Sequence, residues 1–231
     1  MKPRISCVIP CYKQAEFLPH AIESVLSQTI KPHEIIVVID GSPDDSLQIA
    51  KSYEPRIKVI NQVNKGLASA RNTGLMNMTG DFFFPLDADD IMMENCIERI
   101  SQIIEETDAD IVAPSFKTFG KYNAQVILMS NPTLEDFKPI DGQPMNRIGY
   151  FSAIRRSKLL EVGGYNPKMT FGWEDYDIWF DLLKRGTTLI TIPEMLILYR
   201  TKEHSMINEA NEHAQELLTQ IYKNHPEVFK Q

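Results

Sequence analysis

The sequence predicts an α/β fold, a single domain over residues 1–231 with a central, mainly parallel sheet flanked by helices. Short apolar runs alternate with amphipathic stretches in the first half, which is typical of βαβ units. The 231 residues suit one domain, and a hydrophobic content of 43% is enough to bury a sizeable core. We expect a Rossmann-like half over about residues 1–115, a second half over about 116–207 and a C-terminal helix over about 208–231.

The elements of the first half follow from the spacing of apolar residues. Leu18, Ile22 and Val25 lie four and three residues apart, so they form an apolar stripe on one face of a helix. The same reasoning predicts helices at about 16–28, 44–53 and 66–78, between strands at 5–9, 34–39, 58–61 and 81–86. Asp44 or Asp45 is the predicted cap of the second helix. The nearly continuous apolar run at 81–86 predicts a central strand buried on both faces.

Beyond residue 90 the pattern is less regular. Met93, Ile97, Ile100 and Ile104 predict a helix that begins at Ile91. A short strand is predicted at 110–114 and a variable loop or small hairpin at 118–145, where three prolines interrupt strand-like pieces. Further helices are predicted at 157–162, from about 174 and at about 208–223, with a last strand at 188–192.

Composition excludes several classes of function. The formal net charge of -7 argues against a nucleic-acid partner, because such binding relies on clustered Lys and Arg that neutralise phosphates. Three cysteines, two of them in an apolar strand-like stretch, do not resemble a secreted disulfide framework, so we expect a reducing, cytoplasmic location. No apolar run approaches the ~18–20 residues of a membrane span, so we expect no transmembrane segment.

Three aspartates follow the strand at 81–86, at the sheet edge where open α/β folds bind ligands. Asp87 and Asp89 are two residues apart, so their carboxylates can face the same way on extended backbone. Mg²⁺ and Mn²⁺ favour such oxygen ligands and are often held by one or two carboxylates together with substrate phosphates. The alternative is that Asp89 or Asp90 merely caps the helix expected from Ile91.

A series of segments follows in a set order along most of the chain: VIPCYKQAEFLPHAIESVLSQT, EIIVVIDGSPDDS, NKGLASARNTGL, DFFFPLDADD, RRSKLLEVGGYNP and FGWEDYDIWF. In this order the segments resemble those of the family-2 glycosyltransferases with the GT-A fold. That family usually ends its second strand in two acidic residues; here Ile39 replaces the first and Asp40 retains the second. The resemblance implies transfer of a sugar from a nucleoside diphosphate donor (EC 2.4 class), with donor binding in the first half and acceptor binding in the second.

The resemblance also implies roles for individual donor-site residues. Asp40 would accept the imide N–H of uracil or thymine, which favours a UDP-sugar; alternatively it is a turn carboxylate that binds its own backbone. Asp87 would contact ribose or sugar hydroxyls, and Asp89 would bind Mn²⁺ or Mg²⁺, which stabilises the charge of the departing diphosphate as a Lewis acid. The other implied donor-site residues are Pro10, Tyr12, Lys65, Arg71 and Ala88. Lys65 and Arg71 could instead be solvated charges on a helix face.

Asp175 matches the general base of the family. A carboxylate that removes the proton of the acceptor hydroxyl as attack proceeds gives inversion at the anomeric carbon. Glu174 and Trp173 would border the acceptor, with Trp173 stacking on a sugar face. The alternative is that Asp175 only stabilises the N-terminus of a helix, where the macrodipole would lower its pKa and make it a poorer base.

One departure concerns the metal site. Family members often carry a Tyr-Arg pair with a histidine two residues after the arginine, whereas here Tyr199-Arg200 is followed by Lys202 at that position and by His204 four residues on. Lys202 could substitute as a phosphate-binding charge. His204 is kept as a candidate metal ligand, although a lone histidine is more often an ordinary surface or packing residue.

Two other functions stay open. A non-catalytic nucleotide-sugar-binding module would keep the donor residues and lose turnover. A sugar nucleotidyltransferase would have a glycine-rich loop after the first strand, where this chain reads PCYKQAEF. The expected partners of a transferase are the nucleotide-sugar donor and a glycan or lipid-linked acceptor, in cell-envelope polysaccharide synthesis at the inner face of the membrane. A homodimer is left open.

Overall fold

The computed structural model of the chain describes residues 2–203 and 206–229. Its strands are β1 Ile5–Cys11, β2 Glu34–Asp40, β3 Lys58–Gln62, β4 Phe82–Pro85, β5 Ile91–Met92, β6 Ile111–Gly120, β7 Gln125–Val126, β8 Ala153–Arg155 and β9 Leu189–Thr201. Its helices are α1 Leu18–Leu26, α2 Ser46–Ser52, α3 Leu67–Asn77, α4 Cys96–Thr107, α5 Arg156–Glu161, α6 Glu174–Leu183, α7 Met206–Glu212, α8 Ala214–Asn224 and α9 Pro226–Phe229. A 3-10 helix covers Leu134–Phe137.

The strands form one mixed sheet in the order β3-β2-β1-β4-β8-β6-β9-β5, with β7 paired to β6. The first four strands are parallel, and β8 joins β4 and β6 through antiparallel pairs. The α/β fold class predicted from the sequence is confirmed. Because β1, β2 and β4 run in parallel, their carboxyl ends meet at one edge of the sheet, and the loops that follow them build the candidate site.

Helices cover both faces of the sheet. On one face, apolar residues of α1, α2 and α4 pack against alternate residues of β1, among them Cys7 and Ile9. On the other face, α3, α5, α6 and α8 contribute to a second core around Val8 and Phe83. Helix α3 approaches β1 so closely that a Cβ atom added to Gly74 would lie 2.2 Å from Val8 Cγ1. A glycine is therefore required where this helix crosses the strand.

The predicted helix start at Ile91 is wrong. Ile91 and Met92 form β5, which pairs with Leu198 and Ile197 of β9, and the helix α4 begins only at Cys96. Met93 shares the helical spacing of Ile97 but lies before the N-cap residue, Asn95. Consequently neither Asp89 nor Asp90 caps a helix, and both side chains serve other contacts.

The last predicted strand is much longer than expected. It ends at Thr201 instead of residue 192, and β6 likewise continues to Gly120. Pro114 pairs with Ile192 but Ser115 pairs with Met195, so the two residues between them, Pro193 and Glu194, form a bulge on β9. Proline lacks the N–H that a ladder needs, and the bulge accommodates it inside a continuing strand.

Two further differences concern strand β8 and the C-terminal helix. Strand β8 was not predicted, because three residues are too few to show a period. The predicted helix at 208–223 is two helices that break at His213, whose ring stacks on Phe171 with centroids 3.8 Å apart. At the N-terminus of α2 the N-cap position is Asp45, one of the two predicted alternatives, and its side chain makes no capping hydrogen bond. The neighbouring Asp44 accepts the backbone N–H of Ser46 at 3.2 Å. Within residues 2–203 and 206–229, no helix is long and apolar enough to cross a membrane.

Candidate active site

A cleft of about 1140 Å³ opens at the carboxyl edge of the parallel strands. It brings together residues from β1, β2, the loop before α3, the aspartates after β4 and the end of β9. Eight of the residues predicted for the site line it: Pro10, Tyr12, Asp40, Lys65, Asp87, Ala88, Asp89 and Glu174. Arg71, Trp173 and Asp175 lie beside these residues without lining the cleft. His204 lies outside the described residues.

Asp40 fastens the loop between β3 and α3. Its Oδ1 accepts the Lys65 backbone N–H at 2.9 Å and the Gln62 side-chain amide at 2.7 Å, and its Oδ2 accepts the Gly66 backbone N–H at 2.8 Å. The carboxylate thus binds a neighbouring loop and not its own turn. A carboxylate offers about four lone-pair sites, so one remains for a ligand.

Arg71 is the central cation of the site. It is fully buried on α3, and its guanidinium donates to Asp87 Oδ1 at 2.9 Å and to Glu174 Oε1. Tyr150 and Tyr165 lie against its faces, with the guanidinium carbon 4.7 and 5.5 Å from the ring centroids. Burial opposes the charge, but Asp87 and Glu174 outweigh it and raise the pKa of Arg71 above its usual range. Arg71 is therefore not a solvated helix-face charge; it joins the two halves of the chain.

The aspartates after β4 occupy three different environments. Asp90 is buried, and it accepts the Tyr150 hydroxyl at 2.6 Å and the Arg200 backbone N–H at 2.7 Å. Asp87 is half-buried, and burial raises its pKa to about 6 although Arg71 acts in the opposite direction. Burial, followed by the charge of Asp89, raises the pKa of Asp90 well above its ordinary value. Tyr150 also accepts the Asp87 backbone N–H at 2.9 Å, so it holds this loop at two points.

Asp89 faces the end of β9. Its Oδ2 lies 2.5 Å from Lys202 Nζ, which also donates to Gln14 Oε1 at 3.2 Å. Arg200 donates from Nε to the Asp89 carbonyl oxygen at 2.8 Å. The strand end and the aspartate loop are thus joined through both backbone and side chains.

The residues that line the cleft do not fit a resident divalent cation as they are arranged. Each of the two aspartates that could bind one is already paired with a cationic side chain, Asp87 with Arg71 and Asp89 with Lys202. Lysine as an ammonium has three donors and no lone pair, so Lys202 cannot be a metal ligand in this form. The Mn²⁺ or Mg²⁺ expected from the sequence stays a prediction.

Asp175 lies in the first turn of α6, next to Glu174. It is half-buried, and it accepts the Asn146 side-chain amide at 2.9 Å and the Tyr176 backbone N–H at 2.8 Å. Burial, followed by the charge of Glu174, raises the pKa of Asp175 to about 6. The pKa of Asp175 thus moves in the direction opposite to the lowering that the alternative expects from the helix macrodipole. The role of Asp175 as a base stays a prediction.

Trp173 immediately precedes α6 in an unusual backbone conformation. Its φ of 59° and ψ of 20° lie in the left-handed region, which a bulky residue rarely adopts. Its ring packs edge-to-face on Tyr176 with centroids 6.0 Å apart. Strain of this kind persists only where the surroundings enforce it, and it is common next to ligand sites.

Some contacts of the site carry no signal in the sequence. Tyr150 and Gln62 lie outside the recognisable segments, and Gln14 lies within the first segment but has no predicted role. Only the structure brings these three residues to the aspartates and to Lys202. Away from the cleft, Asp177, Asp181 and His225 form the one group in the described parts of the chain with three potential metal ligands close together. Lys184 Nζ lies 2.7 Å from Asp181 Oδ1 and 3.3 Å from His225 Nδ1, so this is a charged network that anchors the C-terminal helices.

Comparison with known proteins gives glycosyltransferases among the relatives of this chain. An uncharacterized glycosyltransferase of Rickettsia prowazekii (strain Madrid E) is 42% identical over 222 residues, which are 90% of this chain and 67% of that protein. The glycosyltransferase EpsJ of Bacillus subtilis (strain 168), itself uncharacterized, is 40% identical over 119 residues, 50% of this chain. The match covers 35% of EpsJ, so the chain corresponds to part of a longer relative.

A solved structure shares the fold. The crystal structure of S. aureus TarS 1-349 in complex with UDP-GlcNAc superposes with a TM-score of 0.80, covering 100% of this chain and 68% of that one at 17% identity. At this identity the likeness concerns the fold alone. The sequence profile of "Glycosyl transferase family 2" matches residues 6–163, more than half of the chain. The chain belongs to glycosyl transferase family 2.

Proposed function

We propose that the chain is an inverting glycosyltransferase that moves a sugar from a nucleoside diphosphate donor to a hydroxyl of a glycan or lipid-linked acceptor. The observation that carries the proposal is the cleft itself, where the aspartates after β4 and the first turn of α6 meet across the buried Arg71. A UDP-sugar is the favoured donor, because the fold neighbour TarS was crystallised with UDP-GlcNAc and Asp40 suits a uracil imide.

The donor would lie along the carboxyl ends of β1, β2 and β4. Tyr12 is exposed at the end of β1 and offers a flat surface for the base. Asp40 keeps one lone-pair site for the imide N–H. Asp87 would accept a hydroxyl of ribose or sugar, while its ion pair with Arg71 keeps it in place.

Asp175 would remove the proton of the acceptor. Its carboxylate takes the hydroxyl proton as the acceptor oxygen forms a bond to the anomeric carbon. The bond from that carbon to the phosphate oxygen breaks, and its electron pair leaves on the nucleoside diphosphate. A pKa of about 6 leaves Asp175 ionised near pH 7 yet basic enough to accept a proton. Attack from the side opposite the diphosphate inverts the configuration.

The acceptor class and the location rest on the family resemblance. We place the acceptor among cell-envelope glycans and the reaction on the cytoplasmic side of the membrane. Trp173 and Glu174 would border the acceptor, since both adjoin Asp175 at the start of α6.

Binding and turnover can be tested separately. Calorimetry with UDP, dTDP, GDP and CDP identifies the nucleotide, and release of nucleoside diphosphate from the matching sugar donors measures turnover. Asp175→Asn should keep nucleotide binding and lose turnover. Asp181→Asn, on the same helix and outside the cleft, is the matched control and should keep both. A non-catalytic module would bind a nucleotide and show no turnover in wild type either, and full turnover in Asp175→Asn would show that the base is another residue.

A further inference from the structure

Lys202 holds a defined position in the cleft. Its side chain is 25% exposed, and its ammonium contacts Asp89 at 2.5 Å and Gln14 at 3.2 Å. The ring of Phe17 lies below it, with the centroid 5.0 Å from Nζ. Three groups, two from the loop between β1 and α1 and one from the loop after β4, therefore hold one ammonium at the mouth of the site.

The backbone leading to Lys202 is equally fixed. The Arg200 backbone N–H donates to the buried Asp90 at 2.7 Å, and the Arg200 guanidinium carbon lies 4.4 and 4.3 Å from the ring centroids of Phe17 and Phe119. These contacts place the residues after β9 beside the aspartate loop before any ligand arrives. The Lys202 ammonium is thus preorganised, which reduces the entropy cost of using it in binding.

The charges of the cleft explain why a cation is needed at this point. The carboxylate of Asp40 accepts three N–H donors of the neighbouring loop and strand, and those of Asp87 and Glu174 are paired with Arg71. Asp89 is the remaining aspartate of the cleft, and a diphosphate that bound beside it would be repelled unless a positive charge lay between them. The side chain paired with Asp89 is Lys202.

We propose that Lys202 is the resident cation of the diphosphate site, so that this chain binds a nucleoside diphosphate without requiring a divalent metal ion. The inference rests on the proposed function and adds how the site recognises its phosphates. An ammonium has three donors; Asp89 and Gln14 take two, and the third serves a phosphate oxygen. A hydrogen bond between an ammonium and phosphate is charge-assisted and about twice as strong as a neutral one.

The test is calorimetric binding of UDP, dTDP, GDP and CDP to the whole chain, in EDTA and in Mn²⁺. Wild type is expected to bind its preferred nucleotide with dissociation constants within about threefold of each other in the two buffers. Lys202→Met should weaken binding in EDTA by roughly ten- to hundredfold, the scale of one charge-assisted hydrogen bond. Lys202→Arg keeps the charge and should stay within a few-fold of wild type.

Lys121→Met is the matched control. Lys121 is an exposed lysine outside the cleft whose ammonium lies 3.8 Å from Glu203, so the substitution removes the same charge beside the residue that follows Lys202. It should leave binding unchanged. Thermal melting of each variant establishes that it is folded. The comparison of wild-type binding in EDTA and in Mn²⁺ tests the metal requirement even if a variant fails to fold.

Three results would overturn the inference. Wild-type binding that requires Mn²⁺ would show that a metal ion is the cation, while the proposed function would stand. Unchanged binding by folded Lys202→Met would limit Lys202 to holding the end of β9. No binding of any of the four nucleotides in either buffer would overturn both this inference and the proposed function.

Discussion

Replacing Arg71 with methionine should destabilise the chain strongly. The substitution leaves Asp87 and Glu174 facing each other in a buried site without the guanidinium that both of them contact. Breaking a buried ion pair by removing one partner costs about 3–5 kcal/mol. A chain of this size loses about 2–4 °C of melting temperature for each kcal/mol, so we expect a decrease of roughly 6–20 °C.

The effect should depend on pH in a definite direction. Burial already raises the pKa of Asp87 to about 6 in the folded chain, and Arg71 acts to lower it. Without Arg71 the pKa rises further above its unfolded value. A carboxyl whose folded pKa is raised favours the folded state when protonated, and this contribution is lost as the pH rises through that pKa. The deficit of Arg71→Met should therefore shrink as the pH falls from about 7 to about 5.

The measurement is urea unfolding at several pH values, with Arg4→Met as control. Arg4 also pairs with an aspartate through two hydrogen bonds, to Asp81 at 2.7 and 3.1 Å, but the side chains are 52% and 44% exposed. Exposed pairs contribute little, so the control should unfold like wild type. The reasoning is refuted if the two variants have the same midpoint, or if the deficit of Arg71→Met does not change with pH.

Three further predictions concern the proposed base Asp175, the hydrogen bonds of Asp44 and the close contact between Gly74 and Val8. The kcat/KM of wild type should fall below about pH 6, because protonated Asp175 cannot accept a proton; a profile that stays flat from about pH 5 to 8 contradicts this. Asp44→Ala should cost about 1–2 kcal/mol in urea unfolding. Burial opposes ionisation of Asp44, but hydrogen bonds from Ser42 and Ser46 outweigh it and lower the pKa of Asp44 to about 2. The stability that Asp44 contributes to wild type is therefore lost as the pH falls from about 4 towards 2. Equal stability of variant and wild type at pH 7 would show that these hydrogen bonds do not stabilise the helix. Gly74→Ala should lower the free energy of unfolding by about 1–3 kcal/mol through overpacking, since its Cβ would lie 2.2 Å from Val8 Cγ1. Val8→Ala removes that atom, so the double variant should recover part of the lost stability. A double variant without such recovery would show that the contact is not the cause.

The fold of the first half could be predicted because each element there has a local signal. Helix α1 carries an apolar stripe and β4 is an unbroken apolar run, so spacing alone locates both. The second half depends on pairing between distant segments. Strand β5 has two residues and β8 has three, and each exists only because a longer strand lies beside it. Pro193 interrupts the pattern of β9, and only the bulge opposite Ser115 shows that the strand continues.

The positions of the site residues could be predicted from local signals in the sequence, whereas the contacts between them could not. Asp40, Asp87, Asp89 and Glu174 could be located in advance because they follow strands or begin a helix at one edge of the sheet. What the sequence could not give is the pairing among them. Arg71 is on α3 and Glu174 lies 103 positions later, and nothing local to either residue shows that they meet.

Asp90 illustrates why this pairing matters for function. We assign Asp90 no contact with the substrate, yet its carboxylate accepts hydrogen bonds from the Tyr150 hydroxyl and the Arg200 backbone N–H. Tyr150 in turn holds the Asp87 backbone and lies against Arg71, while Arg200 holds the Asp89 carbonyl and leads to Lys202. One buried carboxylate thus sets the positions of both cationic side chains that face the aspartates. These contacts hold the end of β9 at the site. The strand is longer than predicted, and its length brings Arg200 and Lys202 to the cleft.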